Sequence, residues 1–127
     1  MKPKKFSLLD RLKSFKFAFR GLKRLLMEEH NARVHLMAVV FVLVTSFLLK
    51  VSQTEFILLL LCIGFVFVAE IFNTAIESMA DFVEPEWNDK IGAIKDYAAA
   101  AVLVSAMIAT IIWLIITVPR LMKLFEL

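Results

Sequence analysis

An all-helical integral-membrane protein is the fold this sequence predicts, and three observations predict it. Of 127 residues, 61% are hydrophobic and the mean hydropathy is +0.80, whereas soluble domains are roughly half apolar. Long apolar runs recur along the chain, each bounded by charge. Only three glycines and three prolines are present, so turn material is scarce and helices are favoured over strands. A β-barrel would need alternating segments of ~10 residues, which these runs are not. Residues 1–127 are expected to form one domain: a surface helix and three spans.

The first element is a basic tail, Met1 to Lys5, with no apolar segment and cleavage site behind it. No signal peptide is expected. Over residues 6–28, Leu8, Leu12, Phe15, Phe19, Leu22 and Leu26 recur in steps of four and three. At about 100° per residue they fall within about 40° of Leu8, with Lys13, Lys16, Arg20, Lys23 and Arg24 on one flank. An apolar stripe beside a basic flank predicts an amphipathic helix lying in the membrane interface. A cytosolic helix packed on the rest of the protein is the alternative.

Met27 to His35 is a polar junction, and the first span follows at about 34–50. It is short against the ~20 residues a bilayer asks for, so Arg33 and Lys50 are expected to snorkel at its ends. After a turn at 51–55, the second span covers 56–81. Residues 82–96 read as the one substantial loop, broken by Pro85 and Gly92, with Trp87 at head-group level. The third span, 97–118, carries no charge; Ala98 to Ala101, Ser105, Ala106 and Ala109 offer the small side chains of close helix packing. Pro119 and Arg120 are expected to end it.

Charge orients these spans. Ten of the fifteen Lys and Arg residues lie at or before Arg33, and seven acids fall between Glu70 and Asp96. The positive-inside rule places the N-terminus in the cytoplasm, the Lys50 turn outside, the acidic loop inside and the C-terminus outside. Arg120 and Lys123 count against the last placement but are outweighed. A basic N-terminal region fits anionic head groups or phosphate; nucleic acid is not expected to bind so apolar a chain. Cys62, the only cysteine, permits no internal disulfide or multi-cysteine metal site.

The segment Glu70 to Asp81 continues the second apolar run without a break. With Glu70 at zero, Asn73 lies near −60°, Glu77 near −20° and Asp81 near +20° at about 100° per residue. Three carboxylates and an amide thus share one helix face, although an ionisable group costs a few kcal/mol or more in a bilayer. Such groups mark functional sites. No glycine-rich phosphate loop, H-E-x-x-H pair or G-x-S-x-G nucleophile is present, so a site must be built from side chains on helices.

Phosphoryl transfer can use such parts: a divalent ion on the phosphates, a base at the attacking hydroxyl and a fixed cation. Magnesium takes one or two carboxylates and completes its shell with water and substrate oxygens. Glu77 with Glu29 would supply them, Lys95 the cation, and Glu70, the deepest acid, the base. A lipid alcohol could enter from the bilayer and ATP from the cytoplasm. Against this stands a small proton- or cation-coupled transporter with Glu70 and Glu77 as relays, or a structural adaptor in which both acids are dispensable. Glu84, Glu86 and Asp89 also read as an exposed acidic loop, and Asp81 and Asp96 as solvated helix-end charges.

The run from Glu70 to Asp81 resembles the signature of the small bacterial diacylglycerol kinase family, which includes the undecaprenol kinases: E-x-x-N-[ST]-[AS]-hydrophobic-E-x-x-hydrophobic-D. Ala80 is smaller than the valine common there. Ala93 to Val102 is similar to a second block, [AR]-x-K-D-x-x-x-A-A-V, and Glu29, Asn31 and His35 resemble the undecaprenol kinase branch. The resemblance implies Glu29 and Glu77 as metal ligands, Glu70 as base, Asn73 orienting groups, Lys95 on phosphate, and Asp81, Glu86 and Asp96 around the nucleotide. It also implies Mg-ATP as phosphoryl donor, the bacterial cell membrane as location, and a homotrimer whose active sites are shared between protomers.

Overall fold

The computed structural model describes residues 7–125 and contains four helices there: α1 (Leu8–Glu28), α2 (His30–Leu48), α3 (Gln53–Val83) and α4 (Asp89–Leu124). The basic tail lies outside the described residues. α2, α3 and α4 are each long and apolar enough to cross a membrane. α3 and α4 pack on each other most extensively, α2 lies against both, and α1 touches α2 and α3.

The buried core is thin. It holds Leu59, Val66 and Ala80 of α3, Ala98 and Ile116 of α4, Ala32 of α2 and Leu25 of α1. Most large apolar side chains of the long helices face outward, which lipid tails, as apolar as leucine, tolerate. In α1 the stripe residues Leu8, Leu12, Phe15, Phe19 and Leu22 are exposed, while Leu25, outside the stripe, is buried. The helix therefore docks through its C-terminal end and leaves the stripe uncovered.

Local chemistry sets the ends. α1 and α2 are separated by Glu29 alone. α2 ends in a Schellman motif: Val51 N–H reaches Ser46 O and Lys50 N–H reaches Phe47 O, both at 3.2 Å, with Lys50 left-handed at φ 49°. α3 starts with a capping box, Ser52 accepting from Glu55 N–H while the Glu55 side chain takes Ser52 N–H. The turn expected at 51–55 therefore lies at 49–52, because the Ser52 cap starts α3 at Gln53.

Further expectations are corrected around α4. The loop expected over 82–96 shrinks to residues 84–88, because α4 begins at Asp89 rather than Tyr97. Asn88 makes that start: its Oδ1 accepts from Lys90 N–H and Ile91 N–H, both at 3.1 Å. Gly92 is no breaker but a helical residue lying under the Trp87 indole; a Cβ there would fall 2.7 Å from ring carbons. Pro119 likewise does not end α4, which runs through it to Leu124. Just after the proline, Arg120 Nη1 donates to the carbonyl of Ile116 at 2.7 Å.

Polar side chains buried in the apolar length are mostly self-satisfied. Ser46, Ser105 and Thr117 each donate to the carbonyl four residues earlier, at 2.6, 2.7 and 2.8 Å. Between α4 and α2, Trp113 Nε1 donates to Thr45 Oγ1 at 3.1 Å, and the Trp113 ring tilts against Phe41 with centroids 5.4 Å apart.

Candidate active site

The predicted face of α3 turns inward. Glu70 is 2% exposed and Asn73 7%, and Glu77 is half-buried one turn further on. The three line a pocket of about 240 Å³ with Asn31 and His35 of α2 and Ala99, Val102, Leu103 and Ala106 of α4. The small side chains on α4 leave the space, and α2 and α3 supply the polar groups. Asn73 Nδ2 donates to Glu77 Oε1 at 3.1 Å, fixing both across one turn.

Glu70 and Asn73 are the exceptions to the satisfied interior. Among the described residues, Glu70 Oε1 and Asn73 Oδ1 are buried side-chain oxygens with no hydrogen bond. His35 Nε2 comes to 3.0 Å from Glu70 Oε1 without the alignment of a hydrogen bond. Glu29 and Glu77 lie close enough to act on Glu70 electrostatically. Buried acceptors are almost always partnered in native proteins, and two orphans in one pocket point to a ligand that completes them.

Beyond the pocket the other expected residues divide. Asp81 and Lys95 form an ion pair between the end of α3 and the start of α4, so Lys95 is held in place by Asp81. Glu29 sits at the α1–α2 break, where its carbonyl accepts from Arg33 Nε at 3.4 Å. Glu86 in the short loop and Asp96 on α4 are exposed, outside the pocket wall. No group of three or more His, Cys, Asp and Glu side chains converges as a metal cage among the described residues. Glu77 lines the pocket and Glu29 does not; a magnesium ion asks the protein for only one or two carboxylates beside phosphate and water.

A second cavity of about 240 Å³ adjoins the pocket, and His35 and Ala106 line both. Its other walls include Val39, Leu59, Ile63, Val66, Ala109 and Trp113, so an apolar space between the three long helices abuts the carboxylates. Asn31 and His35 are the pocket residues that periodicity alone did not single out. Their i, i+4 spacing puts them on one face of α2, but only packing shows that this face meets Glu70.

Three membrane-length helices around a buried carboxylate pocket define a membrane protein with a polar site inside its apolar body. Residues 16–117 match the model of the family described as prokaryotic diacylglycerol kinase, and the chain belongs to that family. It is 39% identical over 109 residues to the undecaprenol kinase of Bacillus subtilis strain 168, covering 86% of this chain and 89% of that protein. It is 30% identical over 105 residues to the diacylglycerol kinase of Escherichia coli K12, covering 83% and 86%. The chain is a lipid kinase, and the transporter reading gives way to it.

Proposed function

We propose that the protein transfers the γ-phosphoryl group of Mg-ATP to the primary hydroxyl of a membrane lipid alcohol, at the cytoplasmic interface of the bacterial cell membrane. The observation that carries this reading is Glu70: a carboxylate buried in a polar pocket that shares His35 and Ala106 with an adjoining apolar cavity. A lipid hydroxyl whose hydrocarbon body lies in that cavity would meet Glu70. Undecaprenol is the first substrate to test, because the relative at 39% identity bears its name; diacylglycerol is the second.

In this reading Glu70 takes the proton as the lipid oxygen attacks the γ-phosphorus and the bond to ADP breaks. Asn73 and Glu77 are pre-positioned by their mutual hydrogen bond, so Glu77 offers a fixed oxygen to a metal. A magnesium ion on Glu29 and Glu77 would neutralise charge on the β- and γ-phosphates. Lys95, oriented by Asp81, reaches phosphate from α4, and Asp81, Glu86 and Asp96 surround the nucleotide. The uncovered stripe of α1 lies in the interface, with its basic flank towards anionic head groups. The outward apolar faces and the exposed Glu86 and Asp96 support a homotrimer in which a neighbour completes the nucleotide site.

Purified protein in mixed micelles, given labelled ATP and both lipids in competition, tests the reading. Labelled undecaprenyl or diacylglyceryl monophosphate is expected, with undecaprenol preferred. ATP consumption indifferent to added lipid would overturn it.

A further inference from the structure

The family signature lies on α3 and α4, yet the neighbour of Glu70 is on α2. His35 Nε2 stands 3.0 Å from Glu70 Oε1, an oxygen that nothing else hydrogen-bonds. The other charged groups acting on Glu70 are Glu29 and Glu77, which repel a carboxylate and cannot hold it. The α4 wall, Ala99, Val102, Leu103 and Ala106, has no polar side chain. His35 also borders both the polar pocket and the apolar cavity, where the end of a lipid chain would pass from one to the other.

We propose that His35 is a positioning residue for Glu70: its Nε2–H holds Oε1 on the side of the pocket that His35 shares with the apolar cavity and leaves Oε2 free for the lipid hydroxyl. A small rotation of the imidazole turns the 3.0 Å approach into an aligned hydrogen bond. A carboxylate among two other acids would otherwise turn away from them, and so away from the substrate. Its restraint by a neutral or cationic donor preserves both rotamer and proton-accepting oxygen. The role is distinct from that of Glu77, whose partner is Asn73 on its own helix. The proposal rests on the reading of Glu70 as the base.

The test compares His35→Leu, His35→Gln and His35→Asn in the full-length protein in mixed micelles, measuring kcat and the KM values for lipid and ATP. His35→Leu, which removes the donor, should lower kcat at least tenfold with the KM for ATP within twofold of the parent. His35→Gln, whose amide N–H extends about as far as Nε2, should recover most of that loss, and His35→Asn, one methylene shorter, should not. If the leucine variant fails to fold, the Gln and Asn pair decides the matter. Equal kcat in those two, or a leucine variant within twofold of the parent, would overturn the proposal. A parallel Glu70→Gln variant separates the two readings. If it is inactive while His35→Leu is not, only the positioning role fails; if it is active, the base assignment fails as well.

Discussion

α3 carries two carboxylates beside a nitrogen of another helix, one in its first turn and one at its middle, and they are built in opposite ways. Glu55, in the first turn, accepts Ser52 N–H at 2.7 Å and Arg120 Nη2 at 2.6 Å. It completes a capping box and favours the positive end of the helix dipole. Glu70, four turns on, is buried with one oxygen unmatched and a histidine close but misaligned. An unpaired buried acceptor costs about 1–3 kcal/mol, so the fold satisfies the acid that holds helices together and leaves unmatched the one proposed as the base. On the proposed function, Glu55 belongs to stability and Glu70 to chemistry.

The contrast can be broken most forcefully at the neighbour of Glu70. Glu77→Gln removes a charged oxygen from the proposed metal and alters the Asn73 contact. A metal contributes several kcal/mol to a phosphoryl transition state, so kcat should fall on the order of 10³-fold. The fold should survive, as circular dichroism and the thermal midpoint would show. A smaller effect is expected at Asp81→Asn, which takes away the partner of Lys95: the KM for ATP should rise roughly tenfold, the equivalent of about 1.4 kcal/mol, with kcat less affected. Nucleotide titrations at saturating lipid would measure it.

At the first turn of α3 the readout should reverse. Arg120→Leu leaves Glu55 without its interhelical donor and should lower the thermal midpoint while lipid phosphorylation at saturating substrates stays within twofold. The smallest effect is expected at Lys50→Gly. A left-handed residue other than glycine costs about 1 kcal/mol, so the substitution should raise stability by up to about that amount with no change in rate. Denaturation in mixed micelles, followed by tryptophan fluorescence, reads both.

The fold was largely legible because its signals are periodic or compositional. Spans are long apolar runs, and the α1 stripe is a 3.6-residue repeat. The start of α4 was less legible, since Gly92 and Pro85 look alike as breakers. Only the Asn88 cap and the Trp87 ring over Gly92 show that the helix begins early. Pro119 misled in the same way: it reads as a stop, yet α4 runs through it to Leu124.

The site divides along the same line. Glu70, Asn73 and Glu77 share one helix, so angular spacing places them together before any packing is known. His35 and Asn31 come from α2, and their meeting with Glu70 depends on how two helices cross, which no single-helix period encodes. The Asp81–Lys95 pair needs both the short loop and the register of α4 on α3. Glu86 and Asp96 remain on the outer surface, where a residue's chemistry depends on what binds against it.

The most direct test compares Glu70→Gln with Glu55→Gln, each purified in mixed micelles and assayed for lipid-dependent phosphoryl transfer and thermal midpoint. Glu70→Gln should lose about 10³-fold or more in kcat, within the range of general-base catalysis and positioning, with its midpoint unchanged or raised. Glu55→Gln should keep its rate and lose stability. Near-parental turnover in Glu70→Gln, or a rate loss in Glu55→Gln as large as in Glu70→Gln, would contradict this division of labour along α3.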